Sequence, residues 1–557
     1  MARTPGSNEV FDQAQLVRIA PDGTTEILTP DFHSACDPDV SHDGQRLLFA
    51  GKPAPESTWQ VHELDLATGR HRRVVSTAGD CRSPVYLSRL FTLDSPEPWS
   101  TLLYVGTEDA WNVTGSGWIR NLFNVRLDGT EPRRVTANPA DNLDPFQAWD
   151  GRVLYASRRL TAAGVDGSRL FAVNLDGTDY EHYGAEQGGR FQRMPCTTAE
   201  GLVVFVESEP SSPDGAGQLA AVTESRPHHS YRRLTGDESL LYLNPAPLRG
   251  SEVLAARRPA SGGPASLVVF DTHTGIERRV ARDPNFDLRQ PKALQERARP
   301  DGRSTVVNTE FPNGVLFAMN CYDADERLAD QLEPGMLKTL RVIEGVPATG
   351  VTPAPINRRL LGEVPIEADG SVNIELPADL PIELQALDAD GVALATCGWI
   401  WVKQKENRGC IGCHEDPERT PENLFVDAMK KPSVIVAPPP GERRSVGFCR
   451  DVMPILERRC GATDCHGGIE APWREAEGGS AAEQVYNLLR THYITPGTAR
   501  TSRLVWHLAG HNTARSWDKE SAQPGPFKQM PPRKATPLEA QERRTLIEWI
   551  DLGATWE

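Results

Sequence analysis

The chain lacks any apolar run approaching the ~20 residues that a membrane-spanning helix needs, which excludes a helical integral membrane protein. It also lacks a basic excess: 60 lysines and arginines stand against 76 aspartates and glutamates, a formal net charge of -16. Little positive charge is left to attract a phosphate backbone or anionic lipid, so neither a nucleic-acid partner nor a membrane span is expected. Cysteine is scarce, 10 in 557 residues, too few for a disulfide scaffold. The stretch Met1 to Ala20 has no apolar core of the roughly 7–15 residues a secretory signal requires. An apolar share of 39% with 24% charged residues is ordinary for folded domains and excludes a wholly disordered chain. At about 150 residues per domain, this length implies roughly three to four of them.

What is present is a repeat. From residue 31 to 320, each unit opens with a Pro-containing or polar stretch, continues with two short apolar strands and closes on a Gly-centred turn. The first strand signals are Leu47-Leu48-Phe49, Leu103-Tyr104-Val105, Val153-Leu154-Tyr155, Val203-Val204-Phe205, Val253-Leu254-Ala255 and Val306-Val307. They recur about every 50 residues, the spacing of four-stranded propeller blades. The second strands fall at Val61 to Leu64, Phe123 to Val125, Leu170 to Val173, Leu219 to Val222, Leu267 to Phe270 and Leu316 to Met319. Six units predict a six-bladed β-propeller over residues 1–320. A hairpin of Leu16 to Ile19 with Glu26 to Leu28 is placed to pair with the last blade. The segments Asp37-Pro38-Asp39 and Asp144-Pro145-Phe146 resemble the blade signature of TolB-like propellers, which bears on fold and not on function.

Residues 321–414 read as a β-sandwich-like module. Val372, Ile374 and Leu376 alternate after the Asp369-Gly370 turn, and further strands cover Ile382 to Leu387 and Val392 to Val402. The Pro-rich stretch 415–445 reads as a linker. Residues 446–557 change period: Asp451 to Arg459 suits a helix, and the last helix is expected to be capped by Thr536, with Pro537 first, Glu539 completing the capping box and Gly553 at its end.

Two cysteine pairs, each followed by histidine, carry the chemistry. Cys410-Ile411-Gly412-Cys413-His414 matches the haem c attachment motif, in which two thiols bond the porphyrin and the imidazole takes the iron. By composition such a match is expected on the order of 0.004 times in the chain, so it is specific. Cys460 to Cys465-His466 is a variant with four residues between the thiols. A cytochrome c domain needs a helix before the motif, a distal ligand on a later loop and a closing helix. Met530, followed by Pro531-Pro532 and one of only seven methionines, offers that ligand; His492, His507 and His511 compete. Zinc is the rival metal: Cys410, Cys413, Cys460 and Cys465 could form a four-thiolate site, although that leaves both histidines and Met530 unexplained.

The run Leu361-Gly362-Glu363-Val364-Pro365, Asp369-Gly370-Ser371, Leu376-Pro377-Ala378, Leu387 to Gly391 and Cys410 to Glu415 resembles the family related to the hydrazine synthase alpha subunit. Val452-Met453-Pro454-Ile455-Leu456, Cys465-His466-Gly467, Met530-Pro531-Pro532 and Trp549 to Ala554 resemble the cytochrome c domains common in planctomycete-type proteins. The resemblance implies a propeller joined to a β-rich haem segment and a C-terminal cytochrome c domain. Cys410, Cys413 and His414 would hold a first haem associated with chemistry, and Cys460, Cys465 and His466 a second associated with electron transfer. The family's tyrosine ligand shortly after the first motif is missing here, where Glu415-Asp416-Pro417-Glu418-Arg419 follow. At this ligand position the chain departs from the family's pattern, and the resemblance does not carry hydrazine synthesis over to it.

The chain is accordingly expected to be an exported, periplasmic or otherwise extracytoplasmic dihaem c-type cytochrome, serving a redox partner protein and an unidentified small-molecule substrate. Thioether attachment implies export, so the start is read as that of a mature or trimmed chain. A non-catalytic electron carrier and a zinc-stabilised interaction protein are the alternatives. Cys36, Cys81 and Cys196 each fall just before an inner blade strand, where a thiol could approach a haem or zinc; buried free thiols or a Cys36–Cys81 disulfide are the plainer reading.

Overall fold

The computed structural model describes residues 11–557 except 94, 162–163, 185–189, 325–327, 329–330, 413–417, 419, 421–423, 462–465, 467–479, 533 and 557. The fold is mainly β with a small helical C-terminal region. Two compact units divide it: Met1–Arg159, Asp166–Thr309 and Pro347–Pro355 form the first, and Leu160–Val165, Glu310–Val346 and Ile356–Glu557 the second.

The first unit contains five sheets built alike, each with an antiparallel series of four strands in chain order, to one of which Arg303–Ser304 adds a fifth, parallel strand. Their first strands are Ser34–Val40, Cys81–Phe91, Asn142–Gln147, Phe191–Thr197 and Leu240–Pro247, and each packs beside the next. The apolar runs mark the second strand of each sheet. Val203, Val204, Phe205 and Val206, for example, are all fully buried, as expected of a continuous apolar run enclosed on both faces. The Pro-bearing stretches that open each unit, not counted among its strands from the sequence, are themselves the first strands. Proline cannot donate to a ladder and is tolerated in a strand chiefly at bulges. Each first strand shows a register shift there, between Cys36 and Asp39, Arg82 and Val85, Leu143 and Phe146, Arg193 and Cys196, and Leu243 and Ala246.

Two expectations are corrected. Five such sheets, not six, form among the described residues. The strand expected in the sixth, Leu316 to Met319, lies in Asn313–Asn320, which pairs with Val372–Pro377 and Asn407–Gly412 in the second unit. The hairpin Val17–Ile19 with Thr25–Ile27 pairs only with itself, and Leu16 before it packs into the core of the first sheet with Phe32, Leu47 and Phe49.

A sixth position nevertheless survives in the turns. Asp37, Ser83, Asp144, Met194, Asn244 and Gln290 all have φ between 48° and 55°, and a proline follows every one. Side chains at these corners and just beyond them line one cavity of ≈ 100 Å³.

In the second unit, one four-stranded sheet runs Asn407–Gly412, Asn313–Asn320, Val372–Pro377, Val434–Ile435, and another runs Asn357–Pro365, Thr339–Val346, Ile382–Leu387, Ala393–Ile400. Four α-helices follow: α1 (Met453–Cys460), α2 (Ala481–His492), α3 (Arg503–Ala509) and α4 (Ala540–Asp551). Their apolar faces, with Phe448, Ile455, Val485, Val505, Ile547 and Trp549 buried, share a core with Ile343 and Val392 of the second sheet. Helix α4 starts later than Thr536 and Pro537 suggest. Its cap is Glu539, in a capping box with Glu542. Tertiary ion pairs explain the choice: Arg459 and Arg458 of α1 hold Glu542 at 2.7 and 3.2 Å, and Arg459 also reaches Glu539 at 2.9 Å.

Candidate functional site

Cys410 sits in the last strand of its sheet, paired in parallel with Ala318, and its side chain is half-buried. Two glycines hold that strand close to its neighbour. A Cβ on Gly409 would fall 2.6 Å from the Phe317 ring, and one on Gly412 would fall 2.1 Å from the Asp323 carbonyl oxygen. Strand pairing therefore delivers the first thiol at a fixed edge and stops at Gly412. Cys413 and His414 lie outside the described residues.

The second thiol is mounted on a helix. Cys460 is the last residue of α1, half-buried against the helical core. The clamp from Arg458 and Arg459 to α4 fixes this helix end at the two residues directly before the thiol. The His466 backbone N–H donates to the Cys460 carbonyl at 3.1 Å, which ties the motif histidine's backbone to the helix end. Cys465 lies outside the described residues.

Met530 is held to α3. Its N–H donates to the His507 carbonyl at 2.8 Å. The His507 ring bonds back through Nδ1 to the Lys528 carbonyl at 2.8 Å. A carbonyl only accepts, so Nδ1 carries the proton in this arrangement and, in the neutral ring, Nε2 keeps a lone pair. A ring nitrogen oriented in this way is the usual state of a metal-ligating imidazole. His492 ends α2 and His511 follows α3, with Nδ1 3.2 Å from the Ala509 carbonyl.

The donor set suits a covalently held haem at the second motif. A half-buried thiol stands at a clamped helix end, its histidine is tethered beside it, and Leu504 and Leu538 lie partly buried against the same core. Among the described residues no group of three or more His, Cys, Asp or Glu side chains is arranged to hold a metal ion.

The first-unit thiols behave differently. Cys36, Cys81 and Cys196 lie within the first strands, rather than before them, and are buried free thiols; no Cys36–Cys81 disulfide forms. Burial pushes Cys81 up to about 11 and Cys196 up to about 12, and raises Cys36 as well. All three are therefore protonated at neutral pH and poor as ligands or nucleophiles. Sequence reasoning missed the α1–α4 clamp, whose signal is the Arg-Arg pair directly before Cys460.

Comparison with known proteins agrees with the fold. Residues 335–415, which end just after the first motif, match the hydrazine synthase alpha subunit middle domain. The chain is similar to hydrazine synthase subunit alpha of Kuenenia stuttgartiensis, 23% identical over 709 residues, covering 96% of this chain and 86% of that relative. It shares the fold of the solved Kuenenia stuttgartiensis hydrazine synthase, with a TM-score of 0.81 at 21% identity over 96% of this chain and 90% of that one.

Proposed function

We propose that this chain, which belongs to a hydrazine synthase alpha-related family, is an exported c-type cytochrome with two covalent haems. The observation that carries this reading is the mounting of Cys410 and Cys460. Each is a half-buried thiol at the end of a rigid element, one held by strand pairing and the other by a helix clamp. In this reading Cys410, Cys413 and His414 hold the first haem and Cys460, Cys465 and His466 the second, with Met530 as its distal ligand. When bound, haem c would supply one-electron redox chemistry. The protein's own part is to fix the thiols and to orient the imidazoles. The five sheets of the first unit, with first strands side by side, act as a propeller scaffold.

His507 is the second reading for the distal ligand, supported by its Nδ1 bond to Lys528. Thioether attachment places the mature protein outside the cytoplasm. The relative is named as a subunit, which supports assembly with a protein partner. No tyrosine stands in the residues directly after His414, Glu415 to Arg419, so the substrate of the first site is left as an unidentified small molecule.

A pyridine haemochrome assay on protein made with haem-attachment machinery tests this directly. Two covalent haems per chain are expected, with one lost in Cys410→Ser and one in Cys460→Ser. No haem, or tightly bound zinc in its place, overturns the proposal. Loss of a low-spin signature in Met530→Ala but not in His507→Ala assigns the thioether, and the reverse assigns the imidazole. An open position on the first iron indicates ligand chemistry; a six-coordinate low-spin iron indicates electron transfer.

A further inference from the structure

The cavity at the six X-Pro corners of the first unit carries an unbalanced charge. Two of its three carboxylates are already committed. Asp37 receives Arg82 Nε at 2.7 Å, the Ser83 N–H at 2.9 Å and Gln290 Nε2 at 2.6 Å. Asp144 receives Arg193 Nε at 2.9 Å and the Met194 N–H at 3.2 Å. These are closed one-to-one pairs. Asp39 alone faces two cations, Arg297 Nη2 at 3.1 Å and Lys292 Nζ at 3.8 Å, and also accepts the Tyr86 N–H at 2.9 Å. Three carboxylates against Arg82, Arg193, Lys292 and Arg297 leave one positive charge in excess.

Donors outnumber acceptors as well. At 3.8 Å the Lys292 ammonium is beyond hydrogen-bond reach of Asp39. The buried Nε–H of Arg297 has no partner among the described residues. The prolines at the corners contribute no N–H, so they offer an apolar wall and leave recognition to these side chains. Lys292 and Arg297 are 28% and 26% exposed, so the cavity is reachable from solvent. A surplus cation in a partly buried site favours an anion that answers it.

We propose that this cavity is a binding site for a small monovalent carboxylate, held by Lys292 and Arg297 as a second acceptor beside Asp39. Size and charge select the class. The cavity of ≈ 100 Å³ admits a small organic acid. One negative charge balances the surplus, whereas a phosphate dianion would exceed it. The site lies within the first unit and does not depend on either haem.

Calorimetric titration of the full-length protein with formate and acetate, against chloride at matched ionic strength, tests the site. Saturable binding of one equivalent is expected for the carboxylates and not for chloride. Lys292→Met should weaken it at least tenfold; among the described residues the Lys292 ammonium comes no nearer than 3.8 Å to Asp39 and makes no hydrogen bond, so this variant should fold normally. Asp39→Asn removes the competing carboxylate while keeping an oxygen for the Tyr86 N–H, and should tighten binding. Absence of saturable binding, equal binding of chloride, or unchanged affinity in Lys292→Met overturns the site. A haem count that fails the preceding section's test leaves this one untouched, and the two outcomes are read separately.

Discussion

The two units bury charge in different ways. In the first, one small device is used twice: Asp37 takes the arginine and the following N–H of the next sheet's corner, Arg82 and Ser83, and Asp144 does the same with Arg193 and Met194. Each device ties one sheet to another. In the second, a single fully buried arginine collects a network. Arg341 bonds Glu363 at 3.1 Å and the Gln385 side chain at 3.1 Å, and stands 3.7 Å from both Glu548 and Asp551 of α4. Arg544 meets Glu363 and Glu548, and Arg444 meets Glu548. The Asp551 carboxylate in turn accepts the N–H groups of Ala499 and Ala393 at 2.7 and 3.1 Å. Repetition confines damage, whereas a shared hub spreads it. The helical region that mounts Cys460 is thus held to the sheet beside it by one electrostatic centre.

The sharpest way to break this contrast is Arg341→Met. Removing the hub leaves Glu363, Glu548 and Asp551 short of a buried cation, at a cost of about 3–5 kcal/mol. Hydrogen exchange should rise in α4 and in Thr339–Val346 together, with the first unit's strands unchanged. Uniform protection in the second unit would show that Arg341 is no hub. Asp37→Ala should cost less, about 2–3 kcal/mol, because Arg82 keeps its place over the Trp59 ring, 4.7 Å from its centroid. Faster exchange should be confined to Ser34–Val40 and Cys81–Phe91; spread across all five first strands would contradict the one-corner reading. Gly412→Ala asks the same question of the first thiol's mount. A Cβ 2.1 Å from the Asp323 carbonyl forces the strand end to move at about 2 kcal/mol. Haem content should fall by one per chain, with the second motif unaffected.

Much of this was legible in the sequence, and the failures have a common cause. Apolar runs such as Val203 to Val206 announced buried strands because burial on both faces leaves no alternation to misread. The first strands were missed because a proline inside a strand ordinarily argues against one. Here a bulge and a positive φ at the preceding residue absorb it, a device visible only when Asp37, Ser83, Asp144, Met194, Asn244 and Gln290 are aligned as corners. Blade counting failed for a related reason: Leu316 to Met319 has strand character, but its partners, Val372–Pro377 and Asn407–Gly412, lie far along the chain. The two cysteine–histidine motifs stand out in the sequence because their spacing is local. The clamp from Arg459 to Glu542 and the Arg341 hub were not, because nothing local marks which of many charges will be buried together.

The smallest predicted effect is also the most direct comparison, because acid should move the two units in opposite directions. In the first, His62 is buried among Phe32, Phe49 and His71, and burial, reinforced by His71, lowers it to about 4. The folded form then takes up a proton less readily than the unfolded chain, whose value is near 6.5. Stability from this group is present above pH 6.5 and is lost as pH falls toward 4. In the second unit Asp551 is raised to about 6 by burial, which Arg341 and the Ala499 and Ala393 N–H groups only partly offset. Its folded form binds a proton more readily than the unfolded chain. That contribution is complete below about pH 3.8 and is lost as pH rises through 6. Between pH 6.5 and 4 these two groups should weaken the first unit and strengthen the second, each on the order of 1–2 kcal/mol. Unit-resolved hydrogen exchange across that window reads the divergence. His62→Gln should flatten the first slope and Asp551→Asn the second, each leaving the other in place. Parallel slopes in the wild-type chain, or one substitution abolishing both, would mean that the two groups do not titrate as independent parts of separate cores.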